Sequence, residues 1–150
     1  MVYNDDMTIY LATDHAGFEL KEKIKKILIE QCYDVIDCGP DHVDKDDDYP
    51  DFISKAARLV AKKPESRGII FGGSGQGEAM VANRVTGVRA TVWYGGSMDI
   101  IKLSRDHNDA NMLSIGARFV TEPEMLEAIK LWLATPFSNA ERHLRRINKF

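Results

Sequence analysis

Short apolar runs alternate along this chain with longer segments in which apolar residues recur at the spacing of a helix. A short run bounded by turn residues predicts a buried strand, and a longer periodic segment predicts an amphipathic helix. This alternation favours an α/β fold with a parallel sheet covered on both faces. The five predicted strands are Ile9 to Ala12, Val35 to Ile36, Gly68 to Phe71, Val88 to Val92 and Met112 to Ile115.

Helices are predicted between these strands and after the last of them. Two Ser/Thr-x-x-Glu patterns, Thr121 to Glu124 and Ser138 to Glu141, have the form of a capping box, in which side chains at a helix start bond the free backbone amides. The second pattern predicts a separate last helix after Pro136. The other predicted helices cover Leu20 to Leu28, Phe52 to Val60, the residues after Glu78, about Ser97 to Ser104, and about Glu122 to Leu133.

The composition fits one globular domain spanning residues 1–150. With 44% hydrophobic and 29% charged residues, the chain can bury a proper core. A net charge of −3 argues against general nucleic-acid binding, which usually needs a basic face. No apolar run reaches membrane-spanning length, and residues 1–6 lack the apolar centre of a signal peptide. Cys32 and Cys38 match neither a metal-ligand nor a disulfide spacing, which favours a reducing, cytoplasmic setting.

A glycine-rich segment, Gly72 to Glu78, follows the third predicted strand and precedes a predicted helix. Glycines let the backbone approach a ligand closely, and the amides at a helix start carry partial positive charge, so the segment suits an anion. The dinucleotide fingerprint fails because Glu78 stands where its last glycine belongs, and the Lys-Ser/Thr of a phosphate loop is absent. A turn of small residues that only packs tightly is the alternative.

Polar segments lie near the other predicted strands. Ligands of such sheets bind beyond the carboxyl ends of the strands, so Asp14 to Gly17, the glycine-rich segment and Ser104 to Asn111 are expected at one sheet edge. Three histidines, His15, His107 and His143, fall in polar motifs, where a neighbouring carboxylate or amide can orient the ring. The acidic stretch from Asp41 to Asp48 lacks the ligand spacing of a calcium loop and is expected to be a solvated loop.

The last predicted helix is basic in an otherwise acidic chain. Arg142 and Arg146, four residues apart, project from one helix face and can grip a phosphate together. The alternative is a solvated charged face near the helix C-terminus.

In this order, these motifs resemble the ribose-5-phosphate isomerase type B family, which also includes galactose-6-phosphate isomerase subunits. The resemblance runs from about Met7 to Ile147. It is carried by Asp14 to Lys21, Asp48 to Asp51, the glycine-rich segment, Ser104 to Asn111, Gly116 to Arg118 and Arg142-His143-x-x-Arg146.

The resemblance implies a Rossmann-like three-layer α/β/α sandwich with a five-stranded parallel sheet and a C-terminal helix. It also implies a homodimer with interface active sites, with a tetramer left open, and isomerisation of an aldose phosphate without metal or cofactor. Many family members carry a catalytic cysteine at the position of Gly72. This chain instead resembles the branch whose loop reads Gly-Gly-Ser-Gly-x-Gly-Glu, in which the glutamate, here Glu78, replaces the cysteine as base.

Residue roles follow from the reaction and the resemblance together. A cyclic sugar phosphate needs ring opening, assigned to His107 with Asp14, and then proton transfer between neighbouring carbons, assigned to Glu78. The oxyanion needs preorganised donors. These donors are the Ser74 hydroxyl, the backbone of Gly73, Gly75 and Gly77, and Asn108. The expected phosphate anchors are His15, Arg118, Arg142 and Arg146. Tyr49 is expected to shape the sugar pocket.

Ribose 5-phosphate is the leading substrate. Allose 6-phosphate, galactose 6-phosphate and a tetrose phosphate are alternatives, because they differ by only one or two hydroxymethylene units. A non-catalytic module that binds sugar phosphates or nucleotides is a second hypothesis, although such a module needs no proton-transfer residues. A nicotinamide or flavin enzyme is disfavoured by the failed fingerprint.

Overall fold

The structure is a computed structural model that describes residues 7–150. The expectation that residues 1–6 carry no signal peptide therefore lies outside the described residues. Within residues 7–150, none of the helices combines the length and apolar character needed to cross a membrane.

Five parallel strands form one sheet, as predicted. Their order across the sheet is β2-β1-β3-β5-β4. The fourth strand begins two residues later than predicted because Val88 lies in a turn, where its amide donates to the carbonyl of Val85. The strands are β1 (Thr8–Ala12), β2 (Asp34–Asp37), β3 (Arg67–Gly72), β4 (Ala90–Trp93) and β5 (Met112–Gly116).

Helices cover both faces of this sheet and complete the predicted three-layer α/β/α arrangement. On one face, the core contains Ile24, Ile101 and Trp132; on the other it contains Ile53 and Ala82. The helices are α1 (Phe18–Glu30), α2 (Tyr49–Lys62), α3 (Gln76–Ala82), α4 (Met98–Asp106), α5 (Glu122–Ala134) and α6 (Glu141–Ile147). A short 3₁₀ turn, His15–Gly17, precedes α1.

Only one of the two predicted capping boxes forms. The Thr121 and Glu124 side chains bond each other's backbone amides at the start of α5, as predicted. The prediction for Ser138 is wrong, because α6 is capped by Ala140 and has no side-chain capping bond. The Ser138 hydroxyl instead donates to the Asp106 carbonyl at 2.7 Å, so a contact with the end of α4 replaces the local cap.

Candidate active site

The glycine-rich segment turns sharply from β3 into α3. Gly75 has φ of 76°, the left-handed conformation that glycine adopts without strain, and directly precedes α3. The turn is tied to β5, because the buried Ser114 hydroxyl donates to the Gly75 carbonyl at 2.6 Å. A side chain at position 75 would also approach the Gly116 amide to 3.1 Å. Both the conformation and the close approach therefore require glycine here.

Glu78 lies in the first turn of α3 and is only 5% exposed. Its carboxylate fills the space that a side chain on Gly72 would occupy: a Cβ built there would overlap Oε1 and lie 2.5 Å from Oε2. A side chain at position 72 and the Glu78 carboxylate in its present position would therefore occupy the same space and exclude each other. The geometry is compatible with a Glu78 carboxylate that takes the place of a side chain at position 72, and its role as the base stays a prediction.

Burial raises the pKa of Glu78, and the nearby Asp14 raises it further, while the backbone amide of Glu78 itself opposes the shift. A carboxylate with a raised pKa is a stronger base than an ordinary one. Burial therefore affects the pKa of Glu78 more than the backbone amides at the start of α3 do.

Asp14 and His15 follow β1 directly. Asp14 is 8% exposed, and its Oδ1 accepts from the Ala16 amide at 2.9 Å, which caps the 3₁₀ turn. His15 Nδ1 lies 2.7 Å from Oδ1 of Asp47. The side chain of Asp47 is only 7% exposed, so the expectation of a solvated loop is wrong at this residue, although Asp41 to Asp46 are exposed as expected.

Asp14, His15 and Asp47 also bring possible metal-ligand atoms within 4.8 Å of one another. The short contact between His15 and Asp47 already uses one nitrogen and one oxygen of this set. We assign no metal to it, and the metal-free reaction stays a prediction.

Tyr49 and Arg118 flank the glycine-rich segment. A Cβ on Gly77 would lie 2.5 Å from the Tyr49 hydroxyl, and a Cβ on Gly73 would lie 3.1 Å from the Arg118 guanidinium. These residues form one cluster at the carboxyl ends of the strands, which we call the glycine-loop half-site. It comprises Asp14, His15, Tyr49, Gly73, Ser74, Gly75, Gly77, Glu78 and Arg118.

The remaining predicted site residues lie at the other end of the strands, near their amino ends. His107 and Asn108 follow α4, which runs back from the carboxyl end of β4 toward the amino end of β5. Arg89, just before β4, donates to the Asn108 carbonyl at 3.1 Å, which fixes the segment at the amino ends of the strands. At about 3.3 Å per residue, the length of β5 alone separates the two edges by roughly 16 Å.

The expectation that Ser104 to Asn111 shares a sheet edge with the glycine-rich segment is therefore wrong within one chain. A segment between a helix and the next parallel strand lies at the amino edge, whereas a segment that follows a strand lies at the carboxyl edge.

His107 stacks against His143 of α6, with ring centroids 4.2 Å apart and planes tilted by 38°. Arg142 Nε donates to His143 Nε2 at 3.1 Å, so Nε2 is an acceptor and the proton of a neutral ring lies on Nδ1. Nδ1 is 2.9 Å from the Ser138 hydroxyl, which in turn donates to Asp106. Burial lowers the pKa of His143, and the neighbouring His107 and Arg142 lower it further.

Arg142 and Arg146 are exposed on α6, and within residues 7–150 neither forms a salt bridge with a carboxylate. Their charge therefore remains available to an anion. We call His107, Asn108, Arg142 and Arg146 the histidine half-site. The structure thus brings the predicted residues together in two groups at opposite edges of the sheet.

Residues 9–150 match the model of a family described as ribose/galactose isomerase. The chain belongs to the ribose/galactose isomerase family. It is 45% identical to ribose-5-phosphate isomerase B of Mycolicibacterium paratuberculosis, over 95% of this chain and 88% of that protein.

Solved structures of the family agree with this fold. Ribose-5-phosphate isomerase B of Mycoplasma genitalium, solved with bound ribulose 5-phosphate, superposes with a TM-score of 0.91 at 38% identity, covering 96% of this chain and 93% of that one. The Thermotoga maritima enzyme gives a TM-score of 0.88 at 35% identity, covering 96% and 97%. The predicted family and fold class are confirmed.

Proposed function

We propose that this protein is an aldose-ketose isomerase that interconverts ribose 5-phosphate and ribulose 5-phosphate. The observation that carries the proposal is the buried Glu78 carboxylate in the space of a residue 72 side chain, beside Asp14 at the carboxyl edge of the sheet. The family and the names of the relatives support the same reaction.

In the proposed mechanism, His107 and Asp14 open the sugar ring by moving a proton between the anomeric hydroxyl and the ring oxygen. Glu78 then takes the proton from C2 of the aldose, and the electrons of that bond form an enediolate between C1 and C2. The proton of the C2 hydroxyl passes to O1, and Glu78 returns its proton to C1 to give the ketose.

The oxyanion of this intermediate needs donors that are already in place. The Ser74 hydroxyl is exposed beside the backbone of Gly73, Gly75 and Gly77, and Asn108 is exposed in the histidine half-site. His15 and Arg118 offer positive charge to the phosphate from one half-site, and Arg142 and Arg146 from the other.

The proposal includes a homodimer, because neither half-site contains both Glu78 and His107. A two-fold symmetric pair can place the histidine half-site of one protomer against the glycine-loop half-site of its partner, forming two composite sites. A tetramer built from such dimers is the alternative assembly. The proposed setting is cytoplasmic, consistent with Cys32 and Cys38 being free thiols.

The experiment that tests the substrate is a comparison of kcat/KM for ribose 5-phosphate, allose 6-phosphate, galactose 6-phosphate and erythrose 4-phosphate. We expect ribose 5-phosphate to be best by about tenfold or more, since one extra carbon unit changes the fit by about 1–3 kcal/mol. A higher kcat/KM for a hexose phosphate would assign the protein to another member of the same reaction class, and no turnover of any of them would remove the isomerase proposal.

Replacing His107 with Asn should damage ring opening selectively. Turnover of ribose 5-phosphate, which is mostly cyclic, should fall by about 100-fold, the usual contribution of a general acid or base. Ribulose 5-phosphate cannot close a five-membered ring because its C5 hydroxyl is esterified, so exchange of its C1 hydrogen with deuterated solvent should stay near the wild-type rate. Equal losses in the two assays, measured by coupled absorbance and by proton NMR, would remove His107 from the ring-opening step.

A further inference from the structure

Asp47 contacts His15 in a way that the roles assigned so far do not use. Its Oδ1 accepts from the ring Nδ1 of His15 at 2.7 Å and from the His15 backbone amide at 3.2 Å. The side chain of Asp47 is only 7% exposed, and its Oδ2 has no hydrogen-bond partner among the described residues. A buried carboxylate with so few partners is stabilised by a positive charge beside it.

The contact also fixes which nitrogen of His15 carries a proton. An ionised carboxylate only accepts hydrogen bonds, so Nδ1 of His15 must donate, and Nε2 is left for a ligand. In the neutral ring Nε2 presents a lone pair, which repels an anion. In the protonated ring Nε2 presents an N–H, which attracts one. The protonation state of His15 therefore decides whether it can hold a phosphate.

The charges around His15 favour the protonated ring. The hydrogen bond that His15 donates to Asp47 is the largest cause that raises the pKa of His15, and the charges of Asp14 and Asp47 add to it. Partial burial and the Arg118 guanidinium oppose this shift. These are the charged groups that face the ring from the turn after β1, from the loop before α2 and from the segment after β5.

The loop that carries Asp47 is anchored at both of its ends. The loop that carries it begins at Pro40, whose carbonyl accepts from the fully buried Lys21 at 2.9 Å, and Lys21 also bonds both oxygens of Asp37. The loop ends at Tyr49, where α2 begins. The two ends of the loop are thus fixed by the fold, and the Asp47 carboxylate itself is held by its contacts with His15.

We propose that Asp47 is a positioning residue that holds His15 oriented and protonated, so that Nε2 of His15 donates to the phosphate of the substrate. The proposal rests on the proposed function for the identity of the substrate, but the Asp47-His15 pair can be tested without turnover. Asp47 itself does not touch the phosphate in this scheme.

The test is Asp47→Asn, which keeps an oxygen for Nδ1 and removes the charge. In proton-nitrogen NMR of the full chain, we expect His15 to titrate at a lower pH in this variant than in the wild type. The matched control is Asp46→Asn, the same change at the exposed neighbouring residue, which should leave the His15 titration where it was. An unchanged titration in Asp47→Asn would overturn the proposal, whether or not the protein is an isomerase.

Binding supplies a second readout. The Kd of inorganic phosphate, measured by calorimetry, should be equal for wild type and Asp47→Asn near pH 5.5, where both rings are protonated. At pH 7, above the ordinary histidine pKa, the variant should bind more weakly than the wild type, by up to about tenfold, the value of one charge-assisted hydrogen bond.

Turnover separates positioning from a structural role. With ribose 5-phosphate at pH 7, the KM of the variant should rise while its kcat stays within about twofold of wild type, because the lost interaction is shared by the ground state and the transition state. A loss of kcat at every pH, with no change in the pH dependence of phosphate binding, would mean that Asp47 only supports the loop and would overturn the proposal.

Discussion

Replacing Glu78 with Gln should reduce kcat for ribose 5-phosphate by about 1,000-fold or more, within the range that a general base contributes. Glutamine has the same shape and fills the same space beside Gly72, but it cannot accept a proton from carbon. The KM should change little, because the phosphate contacts come from other residues. A steady-state assay with ribose 5-phosphate measures both quantities.

The stability of this variant provides an internal control. Burial raises the pKa of Glu78 in the folded protein, so the folded state holds this proton more tightly than the unfolded state does. Any stability gained from the protonated group is present at low pH and is lost as the pH rises through the folded pKa. At neutral pH the ionised side chain therefore costs stability, and Glu78→Gln should have a Tm equal to or above that of the wild type.

Glu127→Gln makes the same chemical change on the exposed face of α5 and should leave both kcat and Tm unchanged. If Glu78→Gln kept more than about a tenth of wild-type kcat, a loss far below that expected for a general base, Glu78 would not be the base.

Mixed dimers should recover activity from two inactive variants. In a heterodimer of Glu78→Gln with His107→Asn, composite sites would combine both defects in one site and leave the other site with two intact halves. We expect each homodimer to be nearly inactive and the heterodimer to have about half the wild-type activity, since a two-fold dimer holds two equivalent sites. Two different affinity tags and sequential purification isolate the heterodimer for the assay.

The control for this experiment is a dimer in which both differently tagged chains carry Glu78→Gln, which should stay inactive. If each site were built within one chain, the heterodimer would contain no intact site. It would then be as inactive as its parents, and the proposal of composite sites would fail.

Local signals in the sequence predicted the sheet well. Each strand is a short apolar run between turn residues, and Thr121 and Glu124 cap α5 because the whole motif lies within one turn of chain. The same type of signal failed at Ser138, where a carbonyl 32 residues away, that of Asp106, takes the hydroxyl. A local sequence pattern cannot predict a partner that only the tertiary fold brings close.

The candidate site shows the same division. The glycine-rich segment and its glutamate could be recognised because they are contiguous in sequence. Asp47 could not, because its partner His15 lies 32 residues earlier and the neighbouring acidic residues are solvated. The opposite placement of His107 and Glu78 follows from chain direction in a parallel sheet, and the alternation of strands and helices already contained that information.

The most direct measurement of proton transfer by Glu78 is the proton NMR spectrum of ribulose 5-phosphate in deuterated water with enzyme present. Ring opening plays no part in this exchange, so the C1 hydrogen signal reports the carbon-to-carboxylate step alone. The wild type should replace one C1 hydrogen with deuterium, and Glu78→Gln should leave the signal decaying at the rate seen without enzyme. Exchange by Glu78→Gln at a rate close to that of the wild type would show that another group moves the proton.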